Sequence, residues 1–146
     1  MRYLLIVNFQ GGVVDKPMEE WKPEEITAHL DYYKTLHDEL VASGELVDSQ
    51  ALAGPNLAKI VTFDGLTAPV VTDGPFPEFK EWLAGYQIVE VESEARAIEI
   101  AARVSAVPGP GGVATQQPIQ VRQVMDQAPS DVVEMEAFLQ QVGNER

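Results

Sequence analysis

Apolar and polar positions follow different rhythms along the chain, and each change of rhythm marks an element. Tyr3 to Phe9 is compact and β-prone, and Gly11-Gly12 closes it, which predicts a buried strand. Pro23-Glu24-Glu25 then sets a proline and two acids where a helix begins. Proline sacrifices no hydrogen bond in a first turn, and acids meet the positive end of the helix dipole. Gly44 is the expected end. Counting 100° per residue from Ile26, Leu30 falls at about +40°, Tyr33 at about −20°, Leu36 at about −80°, Leu40 at about −40° and Val41 at about +60°, one apolar arc.

From Glu45 to Val91 the pattern changes to short β-prone runs: Leu46 to Leu52, Lys59 to Phe63, Ala68 to Thr72 and Tyr86 to Val91. Asp64-Gly65 predicts a small hairpin, with Thr67 and Pro69 lengthening its loop beyond two residues. Ser93 is a good N-cap for a second helix reaching Ser105. Ala95, Ile98, Ala101, Ala102 and Val104 have helical spacing there, and Glu94, Arg96, Glu99 and Arg103 are expected outside. Pro108 to Gly112 is a loop by composition. Ile119, Val121 and Val124 follow as a closing strand whose other face offers Gln120 and Arg122. Pro129-Ser130-Asp131 caps a last amphipathic helix with Val132, Met135, Leu139 and Val142 on one side.

This order predicts an α+β fold, a ferredoxin-like sandwich with an inserted hairpin and an extra C-terminal helix. Residues 1–125 form its domain, and 126–146 are an appended helix. Two core helices cover only one face of a sheet. If the other face is apolar, pairing of two sheets across a homodimer is the economical way to cover it.

Composition narrows the function classes. The chain has 146 residues, 10 Lys+Arg and 23 Asp+Glu, a formal net charge of −13. Nucleic-acid and anionic-membrane binding rest on basic clusters, so neither is expected. The absence of cysteine removes thiolate chemistry and disulfides. The first apolar run is too short for a signal-peptide core or a membrane span, and the reading is a cytoplasmic protein. Gly109 to Gly112 lacks the phosphate-loop pattern and its lysine, and the two histidines lack HExxH spacing, so no cofactor or metal is expected.

One tetrapeptide stands out, Asp73-Gly74-Pro75-Phe76, after Val70-Val71-Thr72. By residue type it reads as a turn in which the aspartate bonds the backbone. With Glu78, Lys80-Glu81, Leu83-Ala84-Gly85-Tyr86, the passage Val91 to Ala95, the opening Met1 to Ile6, Leu40 to Leu46 and Ile119 to Arg122, it resembles the YCII-related family, and within it the DGPF subgroup. The resemblance spans about Met1 to Val124. Pro77, Phe79 and Trp82 are bulkier than the subgroup pattern. It implies a dimeric α/β barrel with a cleft bounded by the sheet and neighbouring loops. The wider family looks enzyme-like through a helix histidine and an aspartate, and one divergent branch dehalogenates chlorinated hydroquinone-type compounds. His29 matches that histidine, and Asp73 is the choice for the aspartate, with Asp38 an outside candidate.

On the helical wheel His29 falls at about −60° and His37 at about +20°, both within the apolar arc, while Asp38 falls at about +120°. A partner for His29 therefore comes from another segment, and the Asp73 loop is the best supplier. An aspartate there would orient the imidazole for acid/base work. The structural alternative for His29 is a satisfied core or interface histidine, and His37 reads as structural. Arg122, Phe76 and Tyr86 are the candidate ligand-binding residues, Arg122 as an anion clamp or as an ion-pair partner of an acid. Three functions compete: a small-molecule enzyme using His29 and Asp73; a non-catalytic ligand-binding or transcription-associated module, since the DGPF group looks linked to extracytoplasmic-function sigma factors; and a structural dimer with a degenerate site.

Overall fold

The computed structural model describes residues 1–8, 12–14, 16–74 and 83–144. Its elements are β1 (Arg2–Asn8), α1 (Pro23–Ser43), β2 (Leu46–Ala51), β3 (Lys59–Thr62), β4 (Val70–Asp73), β5 (Leu83–Glu90), α2 (Glu94–Ser105), β6 (Ile119–Gln123) and α3 (Val132–Asn144). The main sheet runs β2-β5-β1-β6 with every neighbouring pair antiparallel, and β3 and β4 form a separate two-stranded sheet. This mixed α+β order is compatible with a ferredoxin-like sandwich, with the hairpin inserted between β2 and β5. The sheet of the single chain is open rather than closed into a barrel.

Local chemistry sets the ends of the helices. Glu25 reaches back to accept from the Lys22 amide at 2.9 Å, satisfying one orphan donor at the start of α1, and also accepts from the Gly111 amide. Those two amides hold the Glu25 carboxyl below its usual value. Gly44 ends α1 in the left-handed region at φ 77°. Ser93 caps α2 by accepting from the Arg96 amide at 3.2 Å. At α3, Asp131 accepts from the Glu134 amide while Glu134 accepts from Ser130, a reciprocal cap, with both distances 2.8 Å.

The core lies between one sheet face and α1 and α2. Tyr3, Leu5 and Val89 point into it from the sheet, Leu36 and Leu40 from α1, and Ala97, Ile100, Ala101 and Val104 from α2. The expected inward face of α2 is corrected in part: Ala101 and Val104 pack as expected, whereas Ala95, Ile98 and Ala102 are exposed and Ala97 and Ile100 pack in their place. Ile98 and Ile100 are equal in bulk and both lie at helical spacing, so the sheet beneath α2 selects between them. Arg96, expected outside, is half-buried and forks onto Glu45, with both nitrogen–oxygen distances 2.9 Å.

The apolar arc of α1 also divides. Leu36 and Leu40 are buried, whereas Leu30 and Val41 are each 57% exposed, and His37 is exposed rather than in the packed arc. Val132, Met135 and Leu139 of α3 remain exposed, so that helix forms where expected without covering its stripe.

Candidate functional site

His29 lies in the packed half of α1, half-buried between aromatic rings. Its centroid is 5.3 Å from that of Trp21 and 5.2 Å from that of Tyr33, both edge-on. Its Nδ1 donates to the Pro108 carbonyl oxygen at 2.8 Å. A carbonyl only accepts, so the proton sits on Nδ1. Trp21 is itself anchored, its indole nitrogen donating to the Lys16 carbonyl at 2.9 Å.

Asp73 ends β4 opposite Lys59 and pairs with its ammonium at 2.5 Å, both side chains being exposed. Among the described residues no hydrogen bond joins His29 to Asp73: each has its own partner on a different element. In the hairpin loop Asp64 is a turn-type aspartate, accepting from the Leu66 and Thr67 amides and the Thr67 hydroxyl. The Thr67 and Leu66 amides hold its carboxyl below the usual range. Asp38 pairs with Lys34 on the outside of α1. Phe76 lies outside the described residues, as do Pro75 and the segment to Trp82.

Arg122 and Tyr86 both face away from the helices. The register places Arg122, Leu4, Ile88 and Asp48 in one row across the sheet, with Gln120, Ile6, Tyr86 and Gln50 in the next. This open face has an apolar centre and polar margins, as a one-sided sheet would present to a partner. Arg122 makes no ion pair among the described residues. The Tyr86 hydroxyl donates to Asp48 at 3.2 Å, and that carboxylate pushes the phenol's pKa up.

The opposite face holds a feature the sequence reading missed. Between α1 and the β2/β5 side of the sheet lies a cleft of about 320 Å³, walled by Leu30 and Tyr33 and floored by Gly85, Gln87 and Ser49. Val7, Gly85 and Ala51 make one row of its floor, and Leu5, Gln87 and Ser49 the next. Gln87 is 8% exposed, and its Oε1 is buried without a hydrogen-bond partner among the described residues. Such a group costs about 1–3 kcal/mol when left unpaired. Burial also pushes the Tyr33 phenol up, so it stays protonated well above neutral pH. The signal that finds Gln87 is period two: counting back from Val91 and Val89, it falls on the inward side.

No group of three or more His, Asp or Glu suited to a metal occurs among the described residues, and none of their helices is long and apolar enough to cross a membrane. No curated protein matches the chain. The family model of the YCII-related domain matches residues 1–120, most of the chain and all of the main sheet up to the first residues of β6. With that match over the elements that build both the cleft and the open face, the chain belongs to the YCII-related family.

Proposed function

We propose that this YCII-related protein, of the DGPF type, is a homodimer that binds a small molecule in the cleft between α1 and the sheet, as a binding module rather than a His–Asp acid/base enzyme. The observation that carries this is Gln87, a buried amide whose carbonyl has no partner among the described residues, at the floor of an accessible, mostly apolar cleft. The separate engagement of His29 by Pro108 and of Asp73 by Lys59 weighs against acid/base chemistry by that pair.

The open face supports the homodimer. A two-fold axis parallel to the strands, between β1 and β5, lays β2 of one copy over β6 of the other. Leu4 then meets Ile88 of the partner subunit, and Arg122 meets Asp48 of the partner subunit. The pattern is complementary to itself.

Titrating the protein with small aromatic fragments, followed by amide NMR, tests the binding site. Shifts are expected at Ser49, Gly85 and Gln87 and should vanish in Leu30→Trp, which closes the cleft mouth. Shifts confined to the opposite sheet face, or none, overturn the proposal. One observation favours a second reading: with the proton on Nδ1, the Nε2 of neutral His29 is the basic nitrogen. In that reading His29 is the general acid or base, and the Pro108 carbonyl does the orienting expected of Asp73. Turnover of a substrate lost in His29→Asn but kept in Leu30→Trp would establish it.

A further inference from the structure

We propose that the β3–β4 hairpin is an exchanged arm of the dimer, its tip, Phe63 and Leu66, seating in a groove of the partner subunit between the loops at 13–16 and 110–114. The inference rests on the homodimer proposed above, and adds a second zone of contact and the segment that fills it.

The arm lacks a cover of its own. Its register sets Val61 opposite Val71 on one face and Thr62 opposite Val70 on the other. A hairpin lying on its own chain's core buries one face, yet Val61, Val70, Val71 and Phe63 are all exposed, and Leu66 is 87% exposed. A two-stranded sheet is marginal alone in water, and its open apolar edges invite a partner.

The topology brings arm and groove together. Ala51, Gly85, Val7 and Ile119 share a row near one end of the main sheet. The stem of the arm leaves after Ala51, β1 continues past Val7 toward 13–16, and 110–114 comes in ahead of Ile119, so arm and groove issue from the same end. A two-fold parallel to the strands keeps that end common to both copies and lays β2 of one over β6 of the other. The arm therefore starts above the corner where the partner subunit's chain enters β6. Strands of four residues make it about 14 Å long, more than the about 10 Å between stacked sheets. The exposed stripe of α3 follows Gln123 and Tyr3, at the opposite end.

The groove, of about 300 Å³, is lined by Val13, Val14, Lys16, Pro110, Val113 and Ala114, with Val13 and Val113 exposed. The Val13 amide donates to the Thr115 carbonyl at 3.0 Å and the Gly109 amide to the Val113 carbonyl at 2.8 Å, so its walls are fixed before anything enters. A cavity of about 150 Å³ holds benzene, which gives this one room for the Phe63 ring and the Leu66 side chain. Lys16 is the charged residue of this lining, and Asp64 the charged residue of the tip.

Area argues for the same occupant. Four strands about 4.8 Å apart and rows about 3.4 Å apart give the open sheet face a footprint of about 19 by 17 Å. Even doubled for the relief of its side chains, that falls short of the roughly 800 Å² each partner gives up in a standard interface. Two exchanged arms supply the remainder.

The chain has no cysteine, so introduced pairs report cleanly. Full-length Leu66→Cys is mixed with a mass-tagged Val113→Cys and oxidised, with Met135→Cys on α3 as the comparison. The 66–113 cross-link between chains is expected to dominate over 66–66 and 66–135. Phe63→Ser with Leu66→Ser, both exposed in the single chain, should weaken self-association at least about tenfold in sedimentation equilibrium. A dimer that forms no preferential 66–113 link, or is unweakened by the serines, overturns the arm and leaves the sheet-to-sheet dimer standing. Preference for 66–135 gives the arm to α3, and a 66–113 link within one chain of the double-cysteine variant gives it to its own groove; either overturns the exchange. A monomeric wild type overturns the dimer and the arm together.

Discussion

The Nδ1 atom of His29 lies 2.8 Å from the carbonyl oxygen of Pro108, tying the first helix to the loop that follows the second. The bond closes a contact of 79 positions in sequence, and the imidazole fills the space between Trp21 and Tyr33. His29→Ala removes the donor and the ring together and is expected to cost about 2–3 kcal/mol in urea unfolding. His29→Asn, whose amide nitrogen stands in for Nδ1, should recover about 1 kcal/mol of that. Equal losses in the two variants would assign the effect to packing alone.

The fork between Arg96 and Glu45 predicts an acid-side dependence of stability. Arg96 holds the Glu45 carboxyl below its ordinary value of 4.5, with a smaller contribution from Ser43 and burial opposing. A carboxyl depressed in the folded state contributes stability that is full above its unfolded value and is lost as pH falls through the folded one. Glu45→Gln is therefore expected to cost about 1 kcal/mol near neutral pH, after discounting for the partial exposure of Arg96. It should flatten the decline of stability below about pH 4.5, measured by denaturant midpoints across that range.

Two glycines in the left-handed region should respond unequally to alanine. Gly44, at φ 77°, has open space where a Cβ would stand, so Gly44→Ala is expected to cost about 1 kcal/mol from backbone conformation alone. Gly12, at φ 82°, would bring a Cβ to 2.5 Å from the Thr115 carbonyl oxygen, the acceptor for the Val13 amide. Gly12→Ala should add a backbone displacement and cost about 2–3 kcal/mol. Thermal unfolding of the pair measures the difference.

For the proposed dimer, Arg122→Glu should weaken self-association by about tenfold, and adding Asp48→Lys should restore much of the loss. Sedimentation equilibrium reads both. Failure of the double variant to recover would exclude the strand-parallel two-fold, and a monomeric wild type at about 100 μM, near −5.5 kcal/mol of association free energy, would exclude the dimer.

Elements bounded by local chemistry were legible in the chain itself. Proline and acids at 23–25, Gly44, the Ser93 cap and the cap at 130–134 act within a few residues, and each sits where the structure uses it. Faces were less legible. Ile98 and Ile100 lie on neighbouring stripes of one helix, and which stripe packs depends on the sheet beneath. The same holds for Leu30 and His37, whose place on the wheel is apolar but whose side of α1 is not packed.

The site divides in the same way. The sequence alone determined the succession of elements, the family resemblance, the lack of thiolate chemistry and the acidic charge that disfavours polyanions. Only the tertiary structure decided that His29 bonds Pro108, that Asp73 bonds Lys59, and that the Gln87 carbonyl is buried at the cleft floor without a partner among the described residues. Caps and turns are set by bonds between near neighbours, which a sequence displays. The partner of a side chain across 79 positions is set by the packing of a helix on a sheet, which exists only once the chain has folded.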